Sequence, residues 1–135
     1  MLSIIEKILE VVSKLVGLRT ELEKADKIMR VKIATLFDQI SGCLAHVAEE
    51  LRKDLIPHGA CAELATYATG IAVLISPVLG QTEAMEIADK LREAHNVESL
   101  IMVVRNNPKA EEEIAKIEKA SGDLKALANM LMVTG

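Results

Sequence analysis

The sequence predicts an all-α fold, a four-helix bundle with an additional apolar N-terminal helix, and three observations carry that prediction. Half of the 135 residues are apolar, yet Phe37 and Tyr67 are the only aromatic side chains, so the core is aliphatic and suited to helices in close contact. Apolar positions recur at three- and four-residue spacing along most of the chain, the period of a helix with one buried face. Proline and glycine punctuate that pattern at a few places only: Gly17, Pro57-His58-Gly59, Ser76-Pro77, Gly80 and Asn106-Asn107-Pro108. A chain of this length makes one domain, residues 1–135, with 1–18 as the apolar helix and 20–133 as the bundle.

The first helix sets the problem that the remaining elements answer. At 100° per residue, Leu2, Ile4, Ile5, Ile8, Leu9, Val11, Val12, Leu15, Val16 and Leu18 fill an arc of roughly 200°. Ser3, Glu6, Lys7, Glu10, Ser13, Lys14 and Gly17 fall in about 120° on the other side. A helix resting on a bundle needs only about 100° of apolar face, so this arc is wider than one contact surface. Burial of ten such side chains contributes on the order of 15–30 kcal/mol gross, and something must cover them. The stretch has no positive n-region and is interrupted by Glu6, Lys7 and Glu10, which argues against a signal peptide and for retention on the mature protein.

Gly17 marks a kink or short break, and Thr20 with Glu23 has the spacing of a capping box. From Thr20 to Leu55 there is no proline and one glycine, Gly42, so a single long helix is expected, with Ile33, Leu36, Phe37, Ile40, Leu44, Val47, Leu51 and Leu55 inward. Glu23/Lys27, Asp26/Arg30 and Glu49/Lys53 lace its outer face at i,i+4. After the Pro57 turn a third helix runs from about Ala60 to Ile75, with Cys61, Leu64, Ala68, Ile71 and Ile75 inward and many small residues that permit close approach. Ser76-Pro77 is expected to break it. Thr82 is the expected N-cap of a fourth helix reaching about Arg105, with Ile87, Leu91, Ala94, Leu100, Ile101 and Val104 inward. Asn107 caps the last helix, Pro108 opens it, and Glu111, Glu112 and Glu113 match its dipole. Ala110, Ile114, Ile117, Ser121, Leu124, Ala128 and Leu131 form its inner face. No internal repeat or linker stands out. No stretch reaches the 18 or so uninterrupted apolar residues of an ordinary membrane span, and Ile71–Leu79, the longest candidate, is short.

Net charge is −4 with both signs interleaved, and no basic tract or aromatic platform exists to neutralise phosphates or stack bases, so nucleic acid is excluded as a main partner. Two cysteines are too few for a disulfide framework, and a reduced cytoplasm is the expected compartment. Cys43-x-x-His46 followed by His58-x-x-Cys61 reads on paper as a zinc set. His46, however, lies roughly 12 Å of helix rise below the helix end, whereas His58 and Cys61 lie beyond it, so the four are not expected to share a metal. Cys43 and His46 lack a third group to form a nucleophilic site. There is no di-iron Glu-x-x-His pair, P-loop, Gly-x-Gly-x-x-Gly or serine elbow, so neither enzyme activity nor a cofactor is expected.

Two functional classes follow from who covers the first helix. One is a self-associating interaction module, in which bundle and partner share the arc. The other is a membrane effector, in which the helix is covered at rest and released into lipid. Seventeen residues span about 25 Å, close to the hydrocarbon thickness, and Glu6, Lys7, Glu10, Ser13 and Lys14 are then candidate pore-lining residues while the ten apolar side chains face lipid or other copies. The order of an apolar helix at Leu2–Leu18, a long charged amphipathic helix at Thr20–Leu55, a Pro57-His58-Gly59 turn and further helices resembles the bacterial HeLo-like, or Bell, domains. These four-helix modules are related in plan to fungal HeLo and to the executioner domain of mixed-lineage kinase-like protein. The resemblance implies regulated cell death or immunity through oligomerisation, insertion of the N-terminal helix into membrane lipid on activation, an upstream signalling protein, and recruitment from the cytoplasm to the inner face of the cell membrane. With it, the effector reading comes first and the interaction or adaptor module second.

Overall fold

The computed structural model describes residues 4–93 and 108–133, with Ile4 described by its backbone alone. These residues are all-helical, with no strand among them. The helices are α1 (Ile4–Gly17), α2 (Arg19–Glu23), α3 (Lys27–Arg52), α4 (His58–Leu79), α5 (Gln81–Arg92) and α6 (Ala110–Val133).

Local chemistry explains where these boundaries depart from expectation. The break at Gly17 is present, with the Leu18 N–H donating to Lys14 and Leu15 carbonyls. A second break separates α2 from α3, so the expected single helix from Thr20 to Leu55 is two. Its cause is Asp26, whose carboxylate accepts from the Met29 N–H at 2.8 Å as an N-cap. The charge pattern read as continuous lacing is redistributed there. Glu23 pairs with Arg19, and the buried Arg30 donates to the Ala25 carbonyl at 2.7 Å, closing the break. α3 ends at Arg52 rather than Leu55, because Asp54 takes a left-handed conformation (φ 58°) and turns the chain, leaving Leu55 largely exposed.

α4 continues through Ser76-Pro77, contrary to the expected break. Proline removes a bond to the Val73 carbonyl, but Val73 is 65% exposed and only one half-turn of helix follows, so water can satisfy that oxygen. The true stop is Gly80 at φ 93°, where a side chain would be strained. Gly80, not Thr82, therefore stands at the N-cap position of α5. The expected extension of that helix towards Arg105, with Ala94, Leu100, Ile101 and Val104, and the Asn107 cap lie outside the described residues. α6 begins at Ala110, with Pro108 and Lys109 in the preceding turn.

The inner faces are those the periodicity indicated. Ile33, Leu36, Phe37, Ile40, Leu44 and Val47 on α3, Cys61, Leu64, Ala68, Ile71 and Ile75 on α4, and Ile114, Ile117, Leu124, Ala128 and Leu131 on α6 are all buried. α3 packs on α6 and on α4, α4 on α5, α5 on α1, and α1 on α6. The five longer helices thus form a ring around one aliphatic core. At the α3–α4 contact Gly70 faces Leu36, whose Cδ1 would stand 3.2 Å from an added Cβ, so the two helices meet closely there.

The α3–α6 contact reveals an internal equivalence that the sequence reading missed. Ser41 and Ser121 exchange hydrogen bonds, each hydroxyl donating to the other's carbonyl at 2.8 Å, an arrangement with two-fold symmetry. The two residues are 80 apart. Their surroundings match: Ser41-Gly42, Leu44, Ala48 and Leu51 against Ser121-Gly122, Leu124, Ala128 and Leu131. The same offset of 80 relates Glu10 to Lys90, which pair across α1 and α5. Both pairs of helices run antiparallel, as the Asp38–Lys125 and Lys7–Glu93 ion pairs require.

Candidate functional site

α1 sits in the notch between α5 and α6, and this placement corrects the expectation that its arc exceeds what its own fold can cover. A single flat contact would take about 100° of the helix, but two neighbours meeting at an angle take nearly twice that. Ile5, Ile8, Val11, Val12 and Leu15 are buried, and Leu9 and Leu18 are partly so. Val16, 40% exposed, is the one large apolar side chain of α1 left largely to solvent among those described. Leu2 and the Ile4 side chain lie outside the described residues. The five buried side chains contribute about 7–15 kcal/mol gross, enough to make α1 part of the core.

The side chains singled out as candidate pore-lining residues divide in the folded chain. Lys7 pairs with Glu93, Glu10 with Lys90, and Lys14 with Glu83 at 3.1 Å. The signs alternate plus, minus, plus along α1 and minus, plus, minus along antiparallel α5, so the ladder matches one register and opposes a slip. Each pair is exposed and worth at most about 1 kcal/mol, which makes the ladder a selector of register more than a source of stability. Glu6 is exposed, and Ser13 points to the other flank of α1.

That other flank forms a groove between α1 and α6. It has a volume of about 350 Å³, with Leu9, Val12 and Val16 on one wall and Ala120 on the other, and Lys116, Lys119, Asp123 and Ser13 at its edges. The rim charges are partly internal to α6: Lys116 pairs with Glu113 and Lys119 with Asp123, both at 3.1 Å.

The second surface is the outward face of α4. Ala62, Thr66, Thr69, Val73 and Pro77 are exposed and recur at three- and four-residue spacing. No charged side chain occurs between Glu63 and Glu83. By length and composition α4 is, among the described residues, the one helix apolar enough to cross a membrane. Only 22% of its most apolar window is buried. Reading Ile71–Leu79 as too short missed this, because uncharged Ala, Thr and Gly residues extend the stretch towards the N-terminus.

The cysteine and histidine residues are distributed as packing and surface groups. His46 pairs with Glu50 one turn on, at 2.7 Å, and His58 is an exposed residue at the start of α4. Among the described residues no three His, Cys, Asp or Glu side chains converge as a metal site would need. Cys43 and Cys61 are both buried, free thiols. Burial pushes each up to about 11 from 9.0, with the charges of Glu63 at Cys43 and Glu50 at Cys61 acting in the same direction. Such thiols are protonated and inert at neutral pH. A disulfide reagent at pH 8 is expected to leave both unmodified in native protein and to titrate two after denaturation. Rapid native reaction of either would contradict their burial. Because the folded-state values lie above 9.0, the contribution of these thiols to stability is fully present below pH 9 and is lost as pH rises towards 11.

No protein-family model matches the chain, and neither the curated proteins nor the solved structures searched give a match, so the two surfaces are read from their own geometry.

Proposed function

We propose that this protein is a non-enzymatic helical interaction module that works by self-association. In this reading α3, α4, α5 and α6 form a four-helix bundle whose open side, between α5 and α6, is closed by the additional helix α1. The observation that carries the reading is the outward face of α4. A 22-residue helix with no charge over its last four turns, and with Val73 on that face 65% exposed, is costly to leave in water and cheap to cover. The other long helices carry ion pairs on their outer faces and lack this property. Sedimentation over a concentration series tests the reading: reversible growth beyond monomer mass is expected, and a strict monomer at high micromolar concentration would contradict it.

A second reading, a membrane-permeabilising effector of regulated cell death or immunity, is favoured by the apolar length of α4. It requires α1 to leave a notch in which five of its side chains are buried, or α4 to reach lipid in its place. Dye release from vesicles containing anionic phospholipid separates the two readings: none is expected from the interaction module, whatever its oligomeric state.

A further inference from the structure

A single residue joins α4 to α5, and it belongs to the hydrogen-bond ladders of both. The Gly80 N–H donates to the Ser76 carbonyl at 2.9 Å, as the end of α4, and the Gly80 carbonyl accepts from the Ala84 N–H at 3.1 Å, as the start of α5. Only its own dihedral angles, φ 93° and ψ 152°, turn α5 back to pack on α4. That conformation is one for glycine, and helical angles at this one position would join His58–Leu79 and Gln81–Arg92 into a single helix. The bent form has no side chain capping the start of α5. In the straight form the N–H groups of Gln81, Thr82 and Glu83 would donate to the carbonyls of Pro77, Val78 and Leu79, which are the end groups that a break between helices takes out of the ladder.

A straightened chain cannot keep both helices on one core. Leu64, Ile71 and Ile75 of α4 and Ala84, Ile87 and Leu91 of α5 are buried. Continued at 100° per residue through Gly80, the two sets point about 180° apart. The α4 face then stays in its own core only if the α5 face enters another. We infer that Gly80 is a hinge on which two copies of this chain exchange residues 81–135, so that α4 and α5 of each copy become one helix and α5 and α6 complete the core of the other copy. Every contact of α5 and α6 with α1, α3 and α4 is kept in the exchanged pair, now between chains, including the Lys14–Glu83 ion pair and the reciprocal Ser41–Ser121 bonds. A hinge this short favours exchange, because the turn and not the core decides between the closed monomer and the exchanged dimer. The exchange goes beyond the reversible association proposed above and does not use the outward face of α4. It is made of core contacts, so it parts only when the chains unfold.

Two substitutions at exposed positions push the hinge in opposite directions. Gly80→Ala strains the bent form and favours the straight one, and its Cβ meets no atom within 4 Å, so the backbone angle alone is tested. Gln81→Pro suits the bent form, in which it is the first residue of α5 and follows a residue at ψ 152°, whereas its ring would break the straight helix. Wild type and both variants are refolded over a concentration series and sized before and after dilution. Gly80→Ala is expected to lower the apparent dissociation constant of a dimer that survives dilution by about 100-fold relative to wild type, roughly tenfold for each of two hinges. Gln81→Pro is expected to form no such dimer. Spin labels at Thr69→Cys and Arg92→Cys, placed at similar distances on either side of Gly80, are expected to lie about 35 Å apart within one chain of the dimer and far closer in the monomer. A Gly80→Ala protein that melts at a lower temperature and stays monomeric would overturn the inference. So would a dimer whose labels keep the short distance, one that dissociates at once on dilution, or equal dimerisation of Gln81→Pro and Gly80→Ala. Should Gly80→Ala not fold, wild type against Gln81→Pro gives the same comparison, and a wild type that refolds at high micromolar concentration with no lasting dimer would overturn the inference.

Discussion

Removal of residues 1–18 is expected to abolish cooperative unfolding. α1 fills the side between α5 and α6 with Ile5, Ile8, Val11, Val12 and Leu15, and their loss uncovers the apolar faces of both neighbours at once. The gross burial lost, about 7–15 kcal/mol from α1 alone, is comparable to the whole net stability of a domain, about 5–15 kcal/mol. The shortened chain is therefore expected to aggregate or to show a broad thermal transition with no heat-absorption peak. A truncated protein that melts sharply within a few degrees of the intact one would show that α3–α6 are self-sufficient and that α1 is an attachment.

Glutamate scanning along α1 is expected to divide its arc sharply. Ile8→Glu places a carboxylate at a position 1% exposed within the aliphatic core, and is expected to cost about 4 kcal/mol or more, or to keep the protein from folding. Val16→Glu, two turns away at 40% exposure, is expected to cost less than about 1 kcal/mol. Denaturant midpoints at constant m read the difference. Equal tolerance at both positions would mean that α1 is not held in the notch between α5 and α6.

Much of the fold was legible in the sequence because helix faces are written in the period of apolar residues. The inner sets of α3, α4 and α6 could be read from spacing alone, and Gly17 and the Pro57 turn are local signals with local consequences. What was hidden has physical reasons too. Asp26 looked like half of an i,i+4 pair with Arg30, and a residue type that serves both surface pairing and capping does not announce which it does. Pro77 looked like a breaker because a proline near a helix end costs little only when its orphaned carbonyl is exposed, which depends on the tertiary fold. The ladder of Lys7, Glu10 and Lys14 on Glu93, Lys90 and Glu83 needs the antiparallel register of α1 and α5, which no single helix encodes.

The candidate site was less legible than the fold. A 200° arc read on one helix looks like a surplus, whereas a seat between two helices absorbs it, leaving only the groove at Leu9, Val12 and Val16. The offset of 80 residues escaped notice because only a handful of positions around Ser41-Gly42 and Ser121-Gly122 agree, and their meaning lies in the reciprocal bonds they make. The outward face of α4 was visible as a run of small residues, but its exposure follows from the ring order.

Native-state hydrogen exchange of the α1 backbone tests most directly whether α1 is a core helix of a self-contained module or a helix held for release. The amides of Ile8 to Leu15 are expected to open only with global unfolding, at the same free energy and denaturant dependence as those of Ile40 to Val47 in α3. Exchange of the α1 amides through a separate, lower-energy opening, while α3 stays protected, would contradict the core assignment and favour a helix poised to leave.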